Sequence, residues 1–151
     1  MMTGVTRIAL LLVLAMLSSC GGDVSDPEEQ VRAWMRAMHE AAEEKERGDI
    51  VAGISPAYID ARGNSRDDID KLLRVYFFRQ NTVTLLSKID EVNVIGGTAA
   101  EVSITVGMAG TNNSALGISA DAYRFELELE LDGDEWLLIS ARWGELGEQL
   151  R

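Results

Sequence analysis

The side chains that most often carry out chemistry are scarce in this chain. Its 151 residues include one histidine, His39, and one cysteine, Cys20. Neither belongs to an H-x-x-x-H pair or to an acidic cluster at ligand spacing, so we expect no metal site and no cofactor. The stretches IGGTA and GTNNSALG lack the strand-to-helix context of phosphate-binding loops and are typical of turns. A nucleophilic triad also has little support, because no sequence pattern pairs His39 with a nucleophile.

Cys20 lies directly behind a run of apolar residues. Residues 8–17, IALLLVLAML, are ten residues without a polar side chain, about half of what a helix needs to cross a hydrocarbon core of ~30 Å. A charged start, a short apolar run and small residues behind it are typical of a secretory signal. The stretch LSSC at 17–20 resembles the lipobox of bacterial lipoproteins. This resemblance implies that the signal is cut before Cys20 and that the Cys20 thiol is diacylated.

A lipid anchor at Cys20 has consequences for the rest of the chain. Each buried methylene stabilises attachment by ~0.8 kcal/mol, so two or more acyl chains hold a protein firmly at a membrane. By the same resemblance, Gly21 implies the periplasmic face of the outer membrane. We therefore expect a signal peptide over 1–19, a lipidated cysteine with a short tether over 20–26, and a folded domain over 27–151. The tether spans at most ~20 Å, which keeps the domain close to the bilayer.

The balance of charge excludes some classes of partner. The chain has 25 acidic and 14 basic residues, a formal net charge of −11, and loss of Arg7 with the signal makes it more negative. Nucleic-acid binding depends on neutralising phosphates, so we expect no nucleic-acid partner. The same charge disfavours a domain that lies flat on an anionic membrane. With one cysteine, no disulfide can form within the chain.

Helical signals occupy the first part of the domain. Asp26 before Pro27 is a strong helix start, because aspartate caps free N–H groups and proline is favoured in the first turn. Apolar residues then recur at spacings of three and four up to Ala42. Ser65, with Asp68 three residues later, predicts another capped start. We predict three helices: one from 27 to about 48, a short one over 49–54, and one that begins after Ser65.

After residue 81 the apolar pattern changes from helical spacing to alternation. The pairs GG at 96–97 and DG at 132–133 predict hairpin turns. Alternation in the first strand changes phase between Ile89 and Val92, which indicates a bulge or a sharp bend. Helices followed by antiparallel strands predict an α+β domain, with three helices on one face of a strongly bent four-stranded sheet. The predicted strands cover 82–95, 98–109, 121–131 and 135–145.

Two stretches carry a resemblance to a known superfamily. GDIVAGISPAYID before the third helix and YRFELELELDGDEWLLISARW near the end, together with the helical opening, resemble the nuclear transport factor 2-like superfamily. This superfamily includes the SnoaL-like and ketosteroid isomerase-like proteins. The resemblance covers about residues 27–146 and implies a cone of cystatin-like topology, in which a curved sheet wraps around the long helix. It also implies a pocket at the open end and, for many members, pairing into dimers.

The resemblance directs attention to acid–base residues in that pocket. Members that act as isomerases or cyclases place a carboxylate inside the cavity, with a tyrosine or another donor for a developing oxyanion. Candidates for the base are Asp60 and His39, which borders the apolar stripe of the first helix. Tyr76 and Tyr123 are the candidate donors. Structural alternatives exist as well, with Asp60 as a turn former, His39 as a boundary residue, and Tyr58 and Tyr76 as core aromatics with their hydroxyls at the rim.

The position of Arg142 depends on the register of the last hairpin. A two-residue loop at 132–133 pairs Tyr123 with Arg142 and turns the arginine into the pocket, leaving an apolar outer strip for self-association. A loop of odd length turns Trp143 inward and Arg142 outward. We favour the first register, in which a buried guanidinium needs an anionic ligand or a nearby acid. The predicted pocket is then lined by Trp34, Met38, Tyr58, Tyr76, Tyr123 and Arg142.

Three functions are compatible with these residues. The first is a membrane-anchored lipoprotein of the cell envelope, without enzymatic activity, whose cone binds a small, partly apolar ligand or a protein segment. Its partners would be the membrane, through the acyl chains on Cys20, and a second copy of the chain at the outer face of the sheet. The second is a SnoaL-like isomerase, hydrolase or dehydratase that acts through Asp60 or His39. The third is an envelope protein that only mediates assembly. We favour the first over the other two.

Overall fold

The structure, a computed structural model, describes residues 26–112 and 118–151. The predictions for 1–25, including the signal peptide and the lipidation of Cys20, lie outside these residues and stay predictions. No helix within the described ranges is long and apolar enough to cross a bilayer. The chain folds as three helices followed by four strands, which confirms the predicted α+β class.

The first and third helices begin with the caps predicted for them. Helix α1 covers Pro27–Glu43, α2 covers Arg47–Ala52 and α3 covers Arg66–Arg79. The Asp26 side chain accepts a backbone N–H of the first turn of α1 at 3.4 Å. Ser65 and Asp68 form a reciprocal capping box at the start of α3. Helix α2 begins and ends two residues before the predicted 49–54, because Ile54 leaves the helix to bridge Leu138 of the sheet.

The four strands form one antiparallel sheet in chain order. Strand β1 covers Gln80–Ile95, β2 covers Ala99–Asn112, β3 covers Ile118–Asp132 and β4 covers Glu135–Glu145. The predicted turn at Gly96 and Gly97 is present, and both glycines have positive φ, 61° and 77°, which other residues rarely adopt. The register of β1 against β2 shifts between Ile89 and Glu91. This shift confirms the bulge predicted from the change of phase.

Helix α1 lies against one face of the sheet, called here the inner face, and the core lies between them. The indole N–H of Trp136 in β4 donates to the side chain of Gln30 in α1 at 3.0 Å. Each fully buried aliphatic or aromatic side chain stabilises the fold by about 1.5–3 kcal/mol, so the core cluster holds the two layers together. Its buried members are Val31, Met35, Ile54, Tyr58, Ala100, Val102, Ile104, Leu127, Leu129, Trp136, Leu138 and Ala141.

Two other segments cover the outer edge of β4. The backbone N–H groups of Ser55 and Ala61 donate to carbonyl groups of β4 at 2.9 and 3.1 Å. Farther along the strand, Trp143 and Arg151 exchange backbone hydrogen bonds of 3.1 and 3.3 Å. Strand β1 forms the opposite edge of the sheet. Because the segment up to Ala61 is bonded to β4, the next residue, Arg62, is held near the end of that strand.

Candidate functional site

Arg142 lies on the outer face of the sheet, so its predicted inward position is wrong. Its guanidinium forms an ion pair with Glu126 of β3, and 57% of its side chain is exposed. The cause is a register shift in the last hairpin: the pairing with β3 moves by one residue after Leu138, so Ile139 is an extra residue. A one-residue bulge reverses the faces of all residues that follow it. Arg142 therefore points away from the cone.

The predicted pairing of the last hairpin is not observed, because Asp132 pairs with Glu135 and the turn is Gly133–Asp134, one residue later than the predicted 132–133. The inward and outward faces of each of the two registers nevertheless hold for one part of β4. Before the bulge, Trp136 and Leu138 face inward, as in the favoured register; after it, Ala141 and Trp143 face inward, as in the other. The predicted apolar strip on the outer face is absent from β4 for this reason. The outer face has instead a polar depression of about 270 Å³, lined by Glu91, Asn93, Glu101, Val102, Ser103, Glu126, Leu127, Glu128 and Arg142. A dimer through this face stays a prediction.

Asp60 is held in a loop by its own neighbours. One carboxylate oxygen accepts the backbone N–H groups of Arg62 and Asn64, each at 2.8 Å, and the other accepts the Asn64 side-chain amide at 2.8 Å. Asp60 is 4% exposed. A carboxylate whose oxygens are directed at loop donors, and away from solvent, is poorly placed to take a proton from a ligand. The structure thus places Asp60 as a loop former.

Three other predicted pocket residues lie in the interior between α1 and the segment after α2. Tyr58 is 2% exposed, and burial, followed by the charge of Asp60 and a hydrogen bond with it, raises the pKa of the Tyr58 hydroxyl. Trp34 and Met38 pack over Gly53, where a Cβ atom would lie 2.8 Å from the Met38 Sδ and 3.2 Å from the Trp34 Nε1. The Trp34 N–H is buried without a hydrogen-bond partner among the described residues. Tyr58 is therefore a core residue, whereas Trp34 and Met38 are half-buried and pack over Gly53.

His39 lies on α1 beside the edge strand β1. Its Nδ1 is 3.0 Å from the Ser87 Oγ, and its Nε2 is 3.6 Å from a carboxylate oxygen of Glu43. The other Glu43 oxygen accepts the backbone N–H of Leu85 at 2.7 Å, which orients the carboxylate. His39 thus belongs to a small polar group at the rim of the inner face. Within 26–112 and 118–151, no three histidine, cysteine or acidic side chains are grouped as metal ligands.

The inner face changes from buried to partly exposed along the two central strands. Val102 on β2 and Leu129 on β3 are each 1% exposed. The inner-face residues farther along these strands are only half-buried: Val106, Met108, Tyr123 and Phe125. This region, together with the half-buried Trp143 of β4, is called the open half. Because central strands are normally the best covered part of a sheet, the partial exposure of these apolar side chains marks the open half as a candidate binding region.

Asp121 is the acidic residue of this region that sequence reasoning missed. It pairs with Met108 of β2 and shares the face of Tyr123, two residues later on β3, so its carboxylate lies in the open half. Burial is the largest cause that raises the pKa of Tyr123 and of Tyr76 in α3, and the charge of Asp121 comes next in both. The charge of Asp121 therefore acts on both tyrosines that were predicted as donors. The alternation of the predicted strand 121–131 placed Asp121 on the same face as Tyr123. Asp121 is the first residue of that strand, however, and alternation does not fix the direction of a side chain at a strand end.

The guanidinium near Tyr123 belongs to Arg62 and not to Arg142. Arg62 lies 4.5 Å from the centre of the Trp143 ring and donates to the Trp143 carbonyl at 3.1 Å. Trp143 in turn stacks on Phe125, with ring centroids 6.3 Å apart. The charge of Arg62 lowers the pKa of Tyr123 but does not outweigh burial, which raises it. A depression of about 370 Å³ adjoins this arginine, lined by Arg62, Glu148, Gln149 and Arg151.

Solved structures of other proteins match this chain, although no protein-family profile and no curated protein sequence does. A ketosteroid isomerase-like protein from Erwinia carotovora atroseptica superposes with a TM-score of 0.67 at 14% identity, over 82% of this chain and 99% of that one. A nuclear transport factor 2-like superfamily protein from Salmonella enterica serovar Typhimurium gives 0.65 at 13%, over 82% and 96%. An uncharacterised protein with a cystatin-like fold from Caulobacter vibrioides gives 0.59 at 15%, over 75% and 84%.

Identities of this size establish the fold alone. The order of helices and strands, and the antiparallel sheet curled around α1, agree with these proteins. The cone and the cystatin-like topology expected from the sequence are therefore confirmed. This chain has the fold of the nuclear transport factor 2-like superfamily.

Proposed function

We propose that the domain binds a small, partly apolar ligand in the open half of its cone. The observation that supports this best is the incomplete cover of the central strands, where Val106, Met108, Tyr123 and Phe125 stay half-buried. A group of aromatic and aliphatic side chains that remains accessible is typical of a binding site. Asp121 and the tyrosine hydroxyls would orient the ligand at the rim.

We further propose that the domain works at the cell envelope, anchored through acyl chains on Cys20. The support is the lipobox-like stretch at 17–20 and the short distance to the fold, since α1 begins at Pro27. The six residues between Cys20 and α1 span at most ~20 Å. A ligand would therefore be bound close to the bilayer surface.

Native mass spectrometry of full-length protein from its own host tests the binding proposal. We expect a retained small molecule on the wild-type protein and its loss in Met108→Lys, which places a charged chain in the open half. Ala109→Lys is the matched control, because Ala109 is the adjacent residue and is exposed on the opposite face. A wild-type protein without any bound mass, or equal retention by the two variants, would contradict the proposal.

An enzyme is the second candidate, because His39 is oriented by a hydroxyl group and a carboxylate. Ser87 and Glu43 flank the imidazole at 3.0 and 3.6 Å, as the partners of a general base do. Asp60 does not take part, since its oxygens are engaged within its loop. One structural neighbour is a ketosteroid isomerase-like protein, which is compatible with acid–base chemistry on this fold.

Hydrolysis of a small activated ester, p-nitrophenyl acetate, tests the enzymatic candidate. If His39 acts as a general base, His39→Gln should lower the rate by about a hundredfold, and Ser87→Ala should lower it too if the serine is the nucleophile. Arg36→Gln on the exposed side of α1 is the control. The same rate in all three variants and in the wild-type protein would remove this candidate.

A further inference from the structure

The charges that surround the open half are mainly negative. Asp121 lies on the inner face, and Glu145 of β4 pairs directly with Tyr123 of β3, so both carboxylates are on the ligand side of the sheet. Burial is the main cause that raises the pKa of Tyr123, and Asp121, Glu145 and Glu148 add to it. The whole chain carries a formal net charge of −11. The field of the protein therefore attracts cations to this region and repels anions.

Arg62 brings a positive charge to the same region, but its guanidinium already has partners. It lies over the Trp143 ring at 4.5 Å and donates to the Trp143 carbonyl. A guanidinium in this position is attracted by the negative face of the indole ring. The contact shows that the aromatic surface at this end of the cone accepts a cation.

Building on the proposed function, we propose that the ligand is a small organic cation with an apolar body. The rings of Tyr76 and Tyr123 and the carboxylates of Asp121 and Glu145 would surround an ammonium group, and Met108 would contact the apolar part. Aromatic faces stabilise a cation by about 0.5–2 kcal/mol. The carboxylates of Asp121 and Glu145, both exposed, add a salt-dependent attraction for the cation.

An acidic ligand, which the sequence suggested through Arg142, does not fit this arrangement. Arg142 lies on the opposite face and is paired with Glu126. Arg62 is engaged with Trp143, and the depression next to it contains the carboxylate of Glu148 together with the guanidinium of Arg151. An anion in the open half would meet the negative charges of Asp121 and Glu145, which repel it.

Three probes of similar shape and different charge test this proposal: choline, its neutral carbon analogue 3,3-dimethylbutan-1-ol, and the anion 3,3-dimethylbutanoate. Full-length protein in detergent is titrated with each, and the chemical shifts of the Tyr76 and Tyr123 rings report binding. We expect choline to bind about tenfold more tightly than the alcohol, and the anion to bind more weakly than both. The advantage of choline should shrink as salt is raised from ~0.01 to ~0.5 M, because screening weakens the attraction.

Two substitutions that each remove one negative charge show which carboxylate attracts the cation. Asp121→Asn should reduce the advantage of choline about threefold to tenfold and leave the affinity for the alcohol unchanged. Glu128→Gln, on the same strand but on the outer face, should leave both affinities unchanged. Equal binding of choline and the alcohol, tighter binding of the anion, or an equal effect of the two substitutions would overturn the inference but not the proposed function. If no probe shifts the two tyrosine rings, both fail.

Discussion

Arg142 and Glu126 form an ion pair on the outer face of the sheet, a few residues beyond a bulge that reverses the faces of β4. The same bulge turns Trp143 inward, where its ring stacks on Phe125 and supports Arg62. One extra residue, Ile139, thus decides which arginine lies beside the ligand side of the cone. The free energies of unfolding of variants that lack the Arg142 or the Trp143 side chain test this assignment of faces.

Arg142→Ala should lower the free energy of unfolding by less than about 1 kcal/mol, because exposed ion pairs contribute little. Trp143→Ala should cost about 2–3 kcal/mol, somewhat less than a fully buried aromatic residue, because Trp143 is half-buried. Urea denaturation of both variants checks the order. A larger loss for Arg142→Ala would mean that the faces of β4 are the reverse of those described.

Asp60→Asn should destabilise the protein by about 1–3 kcal/mol. The new amide NH₂ group would replace the Asp60 oxygen that now accepts the Asn64 side-chain amide, so two donors would face each other. The affinity of the open half for choline should not change. Asp134→Asn in the exposed β3–β4 turn is the stability control. An unchanged unfolding midpoint for Asp60→Asn, or weaker ligand binding without a loss of stability, would contradict the assignment of Asp60 as a loop former.

Gly53→Ala should cost about 1–2 kcal/mol, since its new Cβ would lie 2.8 Å from the Met38 Sδ while the backbone, at φ −75°, accepts alanine. Gly48→Ala in α2, where no atom lies within 4 Å, is the matched control and should stabilise the protein by up to about 1 kcal/mol. Combining Gly53→Ala with Met38→Ala should cost less than the sum of the single variants. Additive losses would show that the two residues do not share the contact.

The capping box of α3 predicts a dependence of stability on acid. Hydrogen bonding from Ser65 first, then from Lys71, holds the pKa of Asp68 at about 2, below its ordinary value of 3.8. The folded state thus binds this proton more weakly than the unfolded chain, so the contribution is complete above about pH 4 and is lost as the pH falls toward 2. Asp68→Asn should show a flatter stability profile over this range, whereas Asp67→Asn should keep the wild-type profile. Parallel profiles for Asp68→Asn and the wild-type protein would refute the assignment.

The anchor is tested by fractionation. Cys20→Ala should release the protein from membranes and leave its precursor uncut, because no thiol remains for acylation. Gly21→Asp should retain the anchored protein in the inner membrane, as the resemblance to bacterial lipoproteins implies. Ser25→Ala in the tether should change neither property. Membrane fractions that stay the same in Cys20→Ala would exclude a lipid anchor at this residue.

Local signals in the sequence were sufficient for most of the fold. Ser65 with Asp68, and the glycine pair at 96–97, act within a few residues, so the start of α3 and the first hairpin could be predicted from neighbours alone. The bulge in β1 was visible because the apolar residues before and after it have opposite parity. The cone shape could be expected because the order of the predicted helices and strands resembles that of the superfamily.

The candidate site depended on contacts that no local signal determines. Both faces of β4 carry large apolar residues, so alternation could not show where Ile139 interrupts the pairing. The position of Arg62 depends on hydrogen bonds between a distant loop and β4. The sequence indicated Asp60 and missed Asp121, and only the three-dimensional fold shows that Asp60 is bonded within its loop while Asp121 lies on the ligand side.

The covering of β4 by the segment around Ser55 and by the end of the chain near Arg151 makes the two sides of the sheet unequal. A sheet can be extended by further strands only where backbone groups remain accessible. Among the described residues the side without a covering backbone segment is β1, where side chains of the first helix region occupy some groups: Glu43 accepts the N–H of Leu85 and Lys45 donates to the carbonyls of Gln80 and Asn81. Two copies could join at β1 only by displacing these side chains, and the result would be a closed pair with two-fold symmetry and not a fibre.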